Sequence, residues 1–158
     1  MSSEVTVILP DGSERILGPN ATGADLAAEL GARAAREALV AIVDGDQLDL
    51  NRPLPDGSNV SLVFPTSEEG LEILRHSTAH VLAQAVLELY PGATFSIGPP
   101  IEDGFYYDFD LPDDQTFSDD DLERISTKMK EIVGNKQPFV RREIQREEAD
   151  SLFADHPY

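Results

Sequence analysis

The stretch EVTVILPDGSERILG, residues 4–18, decides how the first part of the chain folds. Val5, Val7 and Leu9 fall on one face of a strand, PDGS makes a tight turn, and ERILG returns, which is the pattern of a β-hairpin. Beyond it, Thr22 with Asp25 three residues later forms a helix N-cap with a capping-box partner, and ADLAAELG gives a short amphipathic helix closed by Gly31. ALVAIVDGDQLDL then supplies an apolar strand, an Asp-Gly turn at Asp44 and Gly45, and a short strand. A further Asp-Gly pair, Asp56 and Gly57, precedes the strand NVSLVF. Strand, strand, helix, strand, short strand, strand is the order of a small mixed sheet with one helix laid across it, an α+β arrangement of the β-grasp or ubiquitin-like kind.

A boundary follows at PTSEEG, where Pro65 ends the strand and Thr66 with Glu69 forms a T-x-x-E capping box for a new helix. The expected domains are therefore 1–64 and 65–158. The new helix should run to about Tyr90, stopped by Pro91 and Gly92. After it come a short strand near ATFSI, the turn-rich GPPIEDG, and a strand FYYDFDL, in which Phe105, Tyr107 and Phe109 alternate with Tyr106, Asp108 and Asp110. Ser118 caps a helix, DDDLERISTKMKEIV, with acids in its first turn and Lys128 and Lys130 further on, as the helix dipole favours. PFVRREI is expected as a strand and REEADSLF as a last helix.

Composition narrows the function classes. The chain carries a formal charge of −18, with 4 basic against 10 acidic residues up to Phe64 and 8 against 20 beyond it. A protein that coats DNA or RNA through its own positive field is excluded, because such binding rests on Lys and Arg meeting phosphates. Zero cysteines remove thiol nucleophiles, disulfides and Cys-type zinc sites. The sequence holds no membrane-spanning stretch, and MSSEVTVILPDG lacks the basic and apolar regions of a secretory signal, so the expected compartment is the cytoplasm.

Two of the three histidines, His76 and His80, lie four apart in LRHSTAHVLAQAVLELYPG, residues 74–92. On a helical wheel Leu71, Leu74, Thr78, Leu82, Ala85 and Leu89 cluster within about 80° and form the expected core stripe. The two histidines fall on roughly the opposite side, about 40° apart, near Ile73, Ala83 and Leu87. Imidazoles among apolar residues suit the floor of a cleft. The spacing is that of H-E-x-x-H zinc helices, but Ser77 stands where their Glu would, so the metalloprotease general base is absent. A metal on His76 and His80 would need further ligands, and with only His156 left the candidates are carboxylates such as Asp103 or Asp108. Alternatively, imidazoles that titrate near neutrality orient a water for hydrolysis without a metal.

HSTAHVLAQAVLELYPGATFSIGPPIEDGFYYDFDL resembles the opening of the second N-terminal domain of bacterial threonyl-tRNA synthetases, with its H-S-x-A-H, L-x-P, I-G-P and G-F-Y-Y-D pattern. The preceding segment resembles the small β-grasp module called TGS in the same enzymes, and LERISTKMKEIV and REEADSLFADHPY continue the pattern, so the resemblance covers essentially the whole chain. It implies a TGS domain over 1–64 and the beginning of an editing domain, akin to that of alanyl-tRNA synthetases, over 65–158. Such a domain hydrolyses serine wrongly attached to threonine tRNA, because a site that accepts threonine rejects a side chain lacking one methyl only weakly. By resemblance His76 and His80 line the editing pocket and position a water against the ester carbonyl, with Tyr106 or Tyr107 and Asp108 on the neighbouring strand.

The resemblance also implies what lies elsewhere. The family completes its histidine cluster with a cysteine, a histidine and a lysine beyond Tyr158, and its ATP with magnesium, its zinc and its homodimer contacts belong to domains not matched here. His156 aligns with no family ligand, and an exposed loop is its expected setting. Lys128, Lys130, Lys136, Arg141, Arg142 and Arg146 are the candidates for contacts to tRNA phosphates, with weak binding expected from this chain alone. Against the reading as part of a synthetase stand two others, a stand-alone TGS-containing binding module without catalysis and an independent deacylase.

Overall fold

The computed structural model describes residues 4–96 and 98–154, and divides into two compact units between Leu74 and Arg75. His156 lies outside the described residues.

The first unit begins with the hairpin β1 (Val5–Ile8) and β2 (Glu14–Leu17), continues through helices α1 (Gly23–Leu30) and α2 (Ala32–Glu37), and returns as β3 (Val40–Val43), β4 (Asp46–Asp49) and β5 (Ser58–Val63). The sheet order is β2-β1-β5-β3-β4. β1 and β5 pair in parallel at its centre, with Val7 opposite Ser58, while the other pairs are antiparallel. This is the β-grasp arrangement, and Val7, Leu26, Ala41 and Val60, each at most 2% exposed, fill its core.

Local chemistry places the elements. Asp25 donates its amide to Thr22 Oγ1 at 3.3 Å and its carboxylate accepts from the Thr22 amide at 2.8 Å, the reciprocal capping box read in the sequence. Asp44 and Gly45 both have positive φ, 50° and 98°, as a two-residue hairpin turn requires, and Asp44 Oδ1 accepts from the Asn59 amide at 2.9 Å. The short helix α2 departs from the sequence expectation. Gly31 does end α1, but the Ala- and Arg-rich segment after it winds again, aided by an Arg33–Glu37 ion pair one turn apart at 2.9 Å.

Helix α3 (Glu68–Leu89) starts one residue later than its expected cap. Ser67, not Thr66, accepts the Gly70 amide at 3.0 Å, and the position that a capping box would fill with Glu is Gly70. The second unit continues with β6 (Thr94–Phe95), β7 (Pro100–Ile101), β8 (Gly104–Phe105), β9 (Phe109–Asp110), α4 (Asp119–Gly134) and α5 (Arg146–Leu152). Ala85, Val86, Ala93, Ile125 and Ile132 form its buried centre, with Leu82, Leu89, Tyr90, Phe109 and Met129 packed around them.

Three expectations are corrected here. FYYDFDL is not one strand: Phe105 pairs with Pro100 and Phe109 with Phe95, in two separate ladders. The Phe95–Phe109 and Pro100–Phe105 pairs differ by one residue in register, so the two ladders cannot continue into each other. PFVRREI forms no strand, and Phe139 and Val140 are 92% and 84% exposed. β-propensity alone does not make a strand where no neighbouring edge takes up its backbone groups. The buried stripe of α3 agrees with the expected one only in its later turns, where Ala85 is fully buried and Leu82 and Leu89 pack on the core. Earlier, Leu71 and Leu74 are 42% and 37% exposed, and the buried face widens to take in Ala79, Ala83 and Val86. A wheel weighted by side-chain size follows the leucines, whereas close approach favours the alanines.

The end of α3 is tied to the start of α4. The Tyr90 hydroxyl donates to Asp121 Oδ1 at 2.5 Å, the Asp121 carboxylate also accepts from the Ser118 hydroxyl and amide at 2.6 and 3.0 Å, and Arg124 adds an ion pair at 3.0 Å. The hydrogen bond from the Ser118 side chain, then that from Tyr90, holds the Asp121 carboxyl far below its ordinary 3.8. A carboxyl depressed by folding adds stability that is complete above the unfolded value and lost as pH falls through the folded one. The thermal midpoint of the second unit should therefore decline as pH drops below about 4, and less steeply in Asp121→Asn, with circular dichroism against pH as the measurement. An unchanged acid slope in Asp121→Asn would show that other carboxylates carry it. No helix among the described residues is long and apolar enough to cross a membrane.

Candidate functional site

The continuous helix from Ser67 onward sets the register of the two histidines. Positions four apart on α3 stand one above the other, and His76 Nε2 and His80 Nε2 lie 2.9 Å apart, with ring centroids at 4.6 Å and planes at 76°. Both residues are exposed. At this distance one ring must donate its Nε2–H and the other accept with a bare Nε2, so the resting pair holds a single proton between the two facing nitrogens. They flank the buried Ala79–Ala83 stripe and do not stand diametrically opposite the core, contrary to the wheel. Among the described residues no group of three or more His, Asp or Glu converges to hold a metal, so neither Asp103 nor Asp108 completes a ligand set with them.

The FYYD residues divide by face. Tyr107 is half-buried, stacks on Phe109 at 5.1 Å between centroids and meets the edge of Phe95 at 5.7 Å. It is a packing residue of the hairpin. Tyr106 is 53% exposed, and Asp108 points outward into a recess of about 230 Å³ shared with Thr94, Ser96 and Asp110. The alternation read in the sequence therefore survives in burial even though the strand is broken. Among the described residues, the ring and hydrogen-bond contacts of His76 and His80 are with each other, and those of Tyr107 are with Phe95 and Phe109.

The basic candidates are mostly engaged by acids. Lys128 contacts Glu88 at 2.8 Å and Glu131 at 3.1 Å, and the hydrogen bond it donates to Glu88, first among these, raises its pKa. Arg141 pairs with Glu143, Arg142 with Glu148 at 3.0 Å and Arg146 with Asp150 at 3.8 Å. Among the described residues, Lys130 and Lys136 are exposed and have no carboxylate within 4.0 Å. An open groove of about 500 Å³ along α4 is lined by Asp120, Glu123 and Glu131 against Arg124 and Lys128, an acid-rich wall unsuited to phosphate. The Tyr90–Asp121 tie was not foreseen from the sequence. Only Ser118 with Asp121 three residues later hinted at half of it.

The comparisons with known proteins agree with the β-grasp unit and extend past it. Residues 5–64 match the TGS domain model. Over 153 residues, 97% of the chain, the sequence is 47% identical to the threonine–tRNA ligase of Rubrobacter xylanophilus, covering 24% of that protein. It is 48% identical over 96% of its length to the threonine–tRNA ligase of a Geobacter species and 44% identical over 98% to that of Symbiobacterium thermophilum, covering 23% and 24% of each. The chain thus spans about a quarter of the length of the curated relatives it matches. Residues 5–64 thus match a TGS domain, and the chain along nearly its whole length aligns with the N-terminal part of threonine–tRNA ligases.

Proposed function

We propose that the chain serves proofreading in a threonine–tRNA ligase, with His76 and His80 acting on the ester of tRNA mischarged with serine. The observation that carries this reading is the pair itself: two exposed imidazoles with Nε2 atoms 2.9 Å apart on a helix whose relatives along nearly the whole chain are threonine–tRNA ligases. A water that inserts between the two rings replaces their mutual hydrogen bond, donating to the bare Nε2 of one ring and accepting from the Nε2–H of the other. As its oxygen adds to the ester carbonyl, its proton passes to the bare nitrogen and from there to the departing ribose oxygen. Tyr106 and Asp108, on the outward face of the hairpin, supply polar contacts to the substrate, while Tyr107 holds that hairpin in shape.

In this reading tRNA is the partner, bound weakly by these residues, with exposed Lys130 and Lys136 the first candidates for phosphate contact. Charging with ATP and magnesium, the zinc that goes with it and a homodimer contact belong to sequence outside these 158 residues. The cytoplasm is the matching compartment. The experiment is hydrolysis of seryl-tRNA, made on threonine tRNA, by the purified chain and by a His76→Ala, His80→Ala variant. Release should fall by about a hundredfold or more in the variant, the scale of a lost general base. Equal release by both proteins would overturn a hydrolytic role for the pair and favour a TGS-bearing binding module.

A further inference from the structure

We infer that His76 and His80 together form a chelating site for one first-row transition-metal dication of the copper(II) or nickel(II) type. The argument starts from the separation of the two Nε2 atoms, 2.9 Å. Two nitrogens bound cis, at about 90° and with metal–nitrogen bonds of about 2.0–2.1 Å, stand about 2.9 Å apart. Two ligands of a tetrahedral zinc stand about 3.3 Å apart by the same bond lengths, a difference that small ring rotations cover, so the preference for copper and nickel rests on ligand chemistry and not on the spacing. Imidazole nitrogen suits copper and nickel, and copper binds tightest in the divalent series.

The surroundings leave the site open. Both rings are exposed. Gln84, one turn further on, is turned away, since its amide donates to Glu88 at 2.8 Å and to Gln137 at 3.2 Å. No further His, Asp or Glu joins the pair among the described residues, so water fills the remaining positions and the ion exchanges readily. Binding takes the place of the hydrogen bond between the rings. The ring that donated its Nε2–H shifts to the Nδ1–H tautomer, both Nε2 lone pairs face the ion after small rotations of the rings, and no net proton leaves. The binding claim rests on this geometry alone. Its consequence rests on the hydrolytic reading above: an ion held by both nitrogens removes the bare base, so the metal inhibits.

The test is titration of the full chain with copper(II) and nickel(II), followed by visible absorption and by nitrogen hyperfine structure in electron paramagnetic resonance of the copper form. Compared are the native chain, His76→Ala, His80→Ala and His156→Ala, each checked for native circular dichroism. One ion per chain with two-nitrogen coupling is expected, weakened about tenfold or more by loss of either His76 or His80, because the second ligand acts at high effective concentration. His156→Ala should bind as the native chain does. Binding unaffected by both helix variants, or removed by His156→Ala, would overturn the site. Hydrolysis is measured separately, so chelation without any deacylation would leave the metal site standing and reject only the hydrolytic reading.

Discussion

Gly70→Ala should cost the first unit about 3 kcal/mol, the upper range for forcing atoms into filled space. A Cβ on Gly70 would lie 1.9 Å from the carbonyl oxygen of Phe64 and 2.7 Å from its carbon, both backbone atoms that no rotamer change can move. The same carbonyl accepts the Ser67 amide at 3.1 Å and the Ser67 hydroxyl at 3.0 Å, and Ser67 Oγ in turn accepts from the Gly70 amide. Relieving the overlap therefore breaks the cap that starts α3. The better helix propensity of Ala returns about 1 kcal/mol at most. Ser67→Ala, which removes the cap without the clash, should cost only about 1 kcal/mol. Urea denaturation followed by circular dichroism separates the two. Since small domains hold about 5 kcal/mol in total, Gly70→Ala should leave the β-grasp unit close to unfolding at 37 °C. A Gly70→Ala chain as stable as Ser67→Ala would mean that the strand-to-helix corner yields more easily than its geometry indicates.

That corner also shows why some of the molecule was legible in the sequence and some was not. Turns at Asp44–Gly45 and the Thr22–Asp25 box are local, set by a few adjacent residues, and they stand where the sequence put them. The cap of α3 slipped by one residue because both Thr66 and Ser67 can cap, and the choice was made by the contact of Gly70 with Phe64, which no local pattern carries. For the same reason the wheel placed His76 and His80 beside each other and near Ala83, but not that Ala83 is buried in the core. PFVRREI has the composition of a strand and stays unpaired, since pairing is a property of the partner edge as much as of the segment. The aromatic alternation of residues 105–110 is intermediate. It fixed which side chains are sheltered, although a one-residue offset divided the ladder.

The second large effect is expected at that offset. Gly98→Ala would set a Cβ 2.1–2.6 Å from ring atoms of Tyr107. A side chain can usually swing aside, but this one is held by Phe109 on its face and Phe95 at its edge, so about 2–3 kcal/mol is expected. Tyr107→Ala should cost a similar amount by emptying the same space. Because the two changes act on one contact, the double variant should be less destabilised than the sum of the singles by about 1 kcal/mol or more, whereas independent sites add. Thermal denaturation of the four proteins reads this coupling directly. Tyr106→Ala, one residue away on the outward face, should change stability by no more than about 0.5 kcal/mol, as exposed positions do. If Tyr106→Ala nevertheless lowers hydrolysis of seryl-tRNA while Tyr107→Phe, which keeps the ring, does not, then the outward face of this hairpin touches substrate and the inward face only holds it in place. The reverse result would move the substrate contact to the buried side and require the aromatic cluster to open.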